Sequence, residues 1–110
     1  HEGRRIAFDT NYVLSLASRP KPVQAARMSS PKNGLSMDVL TTEPGVQFYD
    51  GYKIATPVPG LDGRNYGVSA GRCLEPQRWP DSPNHRHFTD ATLRPHETYF
   101  QETIYRFNMT

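Results

Sequence analysis

Hydrophobic and polar positions alternate through much of this chain, and no stretch of it settles into a helical period. In Leu35–Thr42 (LSMDVLTT), Leu35, Met37 and Val39 share one face at the two-residue spacing of a strand, with Ser36 and Asp38 opposite. Val23–Ser30 (VQAARMSS) precedes it across Pro31-Lys32-Asn33-Gly34. Asn and Gly both tolerate positive φ, so the two arms read as an antiparallel hairpin closed at Asn33-Gly34. Asn11–Ala17 (NYVLSLA) reads as a mostly buried strand, with Asp9 at the loop-to-strand junction before it. Val46–Gly51 (VQFYDG) is a short strand that puts Gln47 and Tyr49 on one face and Val46 and Phe48 on the other. Val68–Glu75 is another, with Cys73 and Glu75 pointing one way and Arg72 and Leu74 the other; Pro76 then ends the pairing or places it at a sheet edge. A last strand is expected over 97–107 (ETYFQETIYRF). Short strands separated by glycine and proline turns predict an all-β fold, a sandwich.

Composition qualifies that picture. Hydrophobic residues make up 35% of 110 residues, with ten prolines and eight glycines, and mean hydropathy is −0.72; a self-sufficient domain has nearer half its residues apolar. Six tyrosines, five phenylalanines and a tryptophan argue against disorder. The expectation is a piece of a larger fold whose core is shared with residues outside this chain. The start at His1, without an initiator methionine or a signal-peptide pattern, agrees with it. The net charge of +2 is scattered, with only Arg4 and Arg5 adjacent among the basic residues, which is a solvated surface and not a nucleic-acid footprint. No apolar run approaches the roughly 18 residues of a membrane span. The single cysteine, Cys73, excludes an intrachain disulfide and reads as a small buried hydrophobe.

The candidate chemistry centres on Glu75. It ends an apolar run, and the loop after it carries Pro76, Pro80 and Pro83, which stiffen the backbone. A carboxylate held by a stiff loop is a common way to present a catalytic base. Gln47 and Glu75 stand within otherwise apolar strands, where a buried carboxylate would have a raised pKa suited to proton transfer. Asp9 joins them as a polar residue at a strand end. Spacing alone does not bring the three together, and each also reads as an ordinary surface or turn residue. His85 and His87 could form half of a metal site, but they sit in a loop with no third ligand at a recognisable spacing. No nucleophile elbow is present. Tyr49, Tyr52, Tyr66 and Trp79 flank the strand ends, where flat rings suit the apolar faces of pyranoses, although each ring singly reads as core.

Four segments in order carry a family resemblance: FDTNYVL at 8–14, TTEPGVQFYDG at 41–51, CLEPQRWPDSPN at 73–84 and LRPHETYFQETIYRF at 93–107. Together they resemble the C-terminal portion of the aldose 1-epimerases, the galactose mutarotases. The resemblance implies a large antiparallel β-sandwich of which residues 1–110 are a C-terminal fragment. It implies interconversion of the α and β anomers of free aldoses such as glucose and galactose, without metal or organic cofactor. By motif, Glu75 of CLEPQ corresponds to the general base, Gln47 of GVQFYDG to a substrate-binding glutamine, and Asp9 of FDTNYVL to an aspartate that binds sugar hydroxyls. The general-acid histidine, a second active-site histidine and a sugar-binding arginine of the family lie upstream, so this chain supplies the base without the acid. The chain departs from the family pattern at Pro76, where threonine is common, at His96, where glycine is frequent, and at Arg72, usually apolar. The partners expected are a monosaccharide and the missing N-terminal portion of the same fold, with neither nucleic acid nor membrane, and the location expected is cytoplasmic. The alternatives are a non-catalytic sugar-binding or regulatory module on the same scaffold, and a sugar-phosphate epimerase.

Overall fold

The computed structural model describes residues 6–110. Six strands, β1 (Asp9–Val13), β2 (Val23–Ser29), β3 (Leu35–Thr41), β4 (Gly45–Tyr49), β5 (Cys73–Gln77) and β6 (Thr103–Met109), are joined by turns, two of them short 3-10 turns at Leu61–Gly63 and Ser82–Asn84. They form two antiparallel sheets of three strands, ordered β1-β4-β5 and β2-β3-β6. The expected all-β architecture is therefore present, and no described helix is long and apolar enough to cross a membrane.

The hairpin forms as the alternation and the Asn-Gly turn predict. β2 pairs with β3 from Val23↔Thr41 to Ser29↔Ser36. Gly34 takes φ +73° in the turn, and the Asn33 side-chain oxygen accepts the Leu35 N–H at 3.0 Å. Burial does not separate its two faces as the alternation suggests, however, although Val39 is fully buried. Leu35 is exposed, while Ser36 and Asp38 on the supposedly polar face are buried. β3 is the central strand, and Asp38 lies between Arg27 of β2 and Arg106 of β6, its partners across the sheet. Arg27 holds it with two hydrogen bonds of 2.6 and 2.9 Å, and Gln24 donates a third at 3.2 Å, so the buried carboxylate is satisfied.

Three further expectations shift. The strand predicted over 11–17 is β1, Asp9–Val13, and it is largely exposed. It stops where the Leu14 and Ser15 N–H groups turn to the Pro44 carbonyl, at 2.9 and 3.3 Å. The last strand begins at Thr103 instead of Glu97, because after the turn through Pro95 and His96 the segment sends the Tyr99 hydroxyl to Glu43 before β6 begins to pair. Cys73, expected in the core, is an exposed free thiol at the start of edge strand β5.

The most deeply buried stretch is the corner between the sheets. Every residue from Thr41 to Val46 is buried. The Pro44 carbonyl accepts the Trp79 indole N–H at 3.0 Å as well as the Leu14 and Ser15 amides, and Arg19 donates to the Thr41 and Glu43 carbonyls at 3.1 and 3.4 Å. Among the described hydrophobic residues only Val39 and Val46 are fully buried. A cavity of about 490 Å³ opens between the apolar face of the first sheet (Tyr12, Val46, Phe48, Leu74) and β2 (Ala25, Ala26, Met28).

Candidate active site

The register of the first sheet sorts its residues onto two faces. Thr10, Tyr12, Val46, Phe48, Leu74 and Pro76 point toward the apolar cavity side. The other face is polar. Across it, Asn11 pairs with Gln47 and Gln47 with Glu75, and in the adjacent row Asp9 pairs with Tyr49 and Tyr49 with Cys73. Directly opposed side chains of an antiparallel pair lie about 4.5–5.5 Å apart at Cβ. β4, at the centre, thus carries Gln47 between the carboxylate of β5 and the polar residues of β1.

Sheet pairing therefore unites the residues that sequence spacing left apart. Gln47 Nε2 donates to Asp9 Oδ1 at 2.9 Å, a bond between residues 38 positions apart. Two neighbouring polar atoms are buried without a hydrogen-bond partner: Gln47 Oε1 and Asn11 Nδ2. One is an acceptor and the other a donor, the pair of functions that a sugar hydroxyl satisfies in return. Asn11 was not among the residues singled out, although it stands two positions after Asp9 on the same strand, and that period alone would have placed it on this face.

The environment of the carboxylate differs from expectation. Glu75 is exposed, not buried in an apolar strand, because β5 is a sheet edge and no described residue covers its outer face. Pro76 is accommodated at that edge opposite Val46, as a residue without an N–H must be.

Of the four aromatic platforms, Tyr49 lies on the polar face. Tyr52 meets Tyr49 edge-on at 5.8 Å. Trp79 borders the face: a Cβ on Gly45 would stand 3.0 Å from its ring and 3.0 Å from Asn11 Oδ1, so glycine is what lets Asn11 and Trp79 close over the start of β4. Tyr66 instead packs on Gly60 within its own loop. His85 pairs with Asp81 at 2.8 Å and stacks on Phe88 at 4.5 Å. Among the described residues no group of three or more His, Cys, Asp and Glu side chains is placed to hold a metal ion.

The family described as aldose 1-epimerase matches residues 1–106. The galactose mutarotase of Mus musculus is 39% identical over 102 residues, which is 93% of this chain and 29% of that protein. The aldose 1-epimerase of Escherichia coli strain K12 is 37% identical over 103 residues, 91% of this chain and 29% of that one. The crystal structure of an aldose epimerase homologue from C. elegans superimposes with a TM-score of 0.83 at 27% identity, covering 97% of this chain and 31% of that chain. The chain thus spans about 29% of the length of the curated relatives it matches.

Proposed function

This chain belongs to the aldose 1-epimerase family, and on that premise we propose that the protein interconverts the α and β anomers of free aldohexoses such as glucose and galactose, with Glu75 as the base. The observation that carries the reading is the cross-strand row in which Gln47 pairs with Glu75 on one side while bonding to Asp9 on the other. In this reading Asp9, Asn11 and Gln47 hold sugar hydroxyls, and Glu75 reaches the hydroxyl on C1.

The chemistry follows from those positions. The Glu75 carboxylate removes the C1 hydroxyl proton, the electron pair forms the C1 carbonyl, and the bond from C1 to the ring oxygen breaks. The ring oxygen takes a proton from a general acid. Rotation about C1–C2 and closure by the reverse steps, with the proton returned from Glu75, delivers the other anomer. Family resemblance assigns the acid to a histidine outside these 110 residues, so the chain alone is expected to be inactive and the site complete only with the remainder of the fold. The C-terminal-fragment reading is supported by the share of the relatives that the chain spans.

Polarimetry with α-D-glucose and α-D-galactose on the intact protein tests the proposal. An acid–base step contributes about 10²–10⁴-fold, and Glu75→Gln is expected to lose that much in kcat while Asp9→Ala and Gln47→Ala mainly raise KM. Sugar binding without accelerated anomerisation would favour the non-catalytic module instead. Preference for glucose 6-phosphate over glucose would favour a sugar-phosphate epimerase.

A further inference from the structure

Glu43 is a buried acid that the proposed reaction does not use. It is 1% exposed at the corner joining the two sheets, between β3 and β4. The Tyr99 hydroxyl, 56 positions away in the segment before β6, donates to Glu43 Oε1 at 2.6 Å. Burial, and then the Glu43 carboxylate beside it, push the Tyr99 phenol up to about 12, so it remains a protonated donor at neutral pH.

The rest of Tyr99 faces the end of β5. Its ring lines a recess of about 340 Å³ with Pro76, Gln77 and Arg78, and the Arg78 guanidinium lies 5.8 Å from the ring centroid, within cation–π range. Pro76 is the residue after Glu75. Arg78 is fixed in turn by donating to the Asp90 carbonyl at 2.6 Å, and its neighbour Trp79 is tied to the Pro44 carbonyl at 3.0 Å. The strand that carries Glu75 is therefore anchored at its exit to Glu43-Pro44, the two residues from which β4 departs toward Gln47. Among the described residues β5 has one strand neighbour, β4, to set its position, and this anchor supplies a second constraint. The Asp9–Gln47 bond joins β1 to β4 directly and does not pass through it.

We propose that Glu43, Tyr99 and Arg78 are positioning residues that fix Glu75 relative to the Asp9–Gln47 pair. The inference rests on the reading of Glu75 as the base. Loss of the anchor displaces the base and leaves the hydroxyl-binding pair in place, so its signature is a fall in kcat at nearly constant KM. A misplacement of about 1 Å can cost on the order of a hundredfold.

The test is polarimetry with α-D-glucose on the intact protein carrying Tyr99→Phe, Arg78→Met, Glu43→Gln or Glu75→Gln, each checked for folding by circular dichroism. Tyr99→Phe and Arg78→Met are expected to lower kcat by roughly tenfold or more with KM within about twofold. Glu43→Gln keeps an oxygen to accept the Tyr99 hydroxyl and is expected to stay within about threefold of the parent kcat. Native kcat in folded Tyr99→Phe and Arg78→Met would overturn the inference, as would a rise in KM that matches the fall in kcat. Should Tyr99→Phe fail to fold, Arg78→Met, an exchange at a half-buried side chain, decides alone. If those variants are native while Glu75→Gln is inactive, the base assignment stands and the anchor falls. A Glu75→Gln protein of full rate removes both.

Discussion

Asp38 and Glu75 are carboxylates on neighbouring sheets with opposite circumstances. Asp38 is buried on a central strand and clasped by Arg27, whose hydrogen bonds, against the cost of burial, hold its carboxyl below the usual carboxylate range. A carboxylate with a lowered folded pKa contributes stability in full above its unfolded pKa, near 4, and loses it as pH falls through the folded value. Thermal melts of the intact protein are accordingly expected to show a loss of stability below about pH 4 that Asp38→Asn removes, together with a lower melting temperature at neutral pH. An unchanged acid limb in Asp38→Asn would contradict this. Glu75 lies exposed at a sheet edge, and the same is true of Cys73 two residues before it. Sequence placed both correctly on one face of a strand. It misjudged their burial because a run of apolar neighbours says nothing of whether a strand is central or at an edge. Asp9, Gln47 and Glu75 entered as candidates one at a time through their motifs. Their union was not legible, since it depends on a strand order, β1-β4-β5, that places residues from three distant segments side by side.

Among the elements, the hairpin was legible because its signal is local. Asn33 closes its own turn and Gly34 adopts φ +73°. Gly34→Ala is expected to destabilise the protein by at least about 1–2 kcal/mol, the cost of a left-handed conformation for a residue with a Cβ. A Cβ there would also stand 2.4 Å from the backbone oxygen of Thr110, the residue after β6, whose N–H donates to the Gly34 carbonyl at 3.0 Å. Urea denaturation measures the difference, and a midpoint equal to the parent would rule it out. β1 and β6 were less legible because their ends answer to distant partners. β1 ends where Pro44 captures two of the following amides, and β6 starts late because the preceding segment delivers Tyr99 to Glu43. Alternation in ETYFQE looks like a strand, yet here it positions a side chain against a corner of the fold.

At the scale of the whole molecule the described residues bury little apolar surface. Val39 and Val46 are the fully buried hydrophobics, while Tyr105, Phe107, Met109 and Phe100 are between 50% and 75% exposed. The low hydrophobic content anticipated this, and it accords with a chain spanning about 29% of its relatives' length. The 110-residue chain alone is expected to bind the dye ANS and to melt without a cooperative transition; a sharp two-state melt without dye binding would show that it folds independently. That Glu75 removes the proton of the C1 hydroxyl of a free sugar is tested most directly by exchange NMR of glucose at anomeric equilibrium, which follows α–β interconversion without any change in bulk composition. Strong exchange cross-peaks between the α and β H1 signals are expected with the intact protein, reduced by about 10²–10⁴-fold in rate with Glu75→Gln. Equal exchange rates for the two proteins would contradict that role of Glu75.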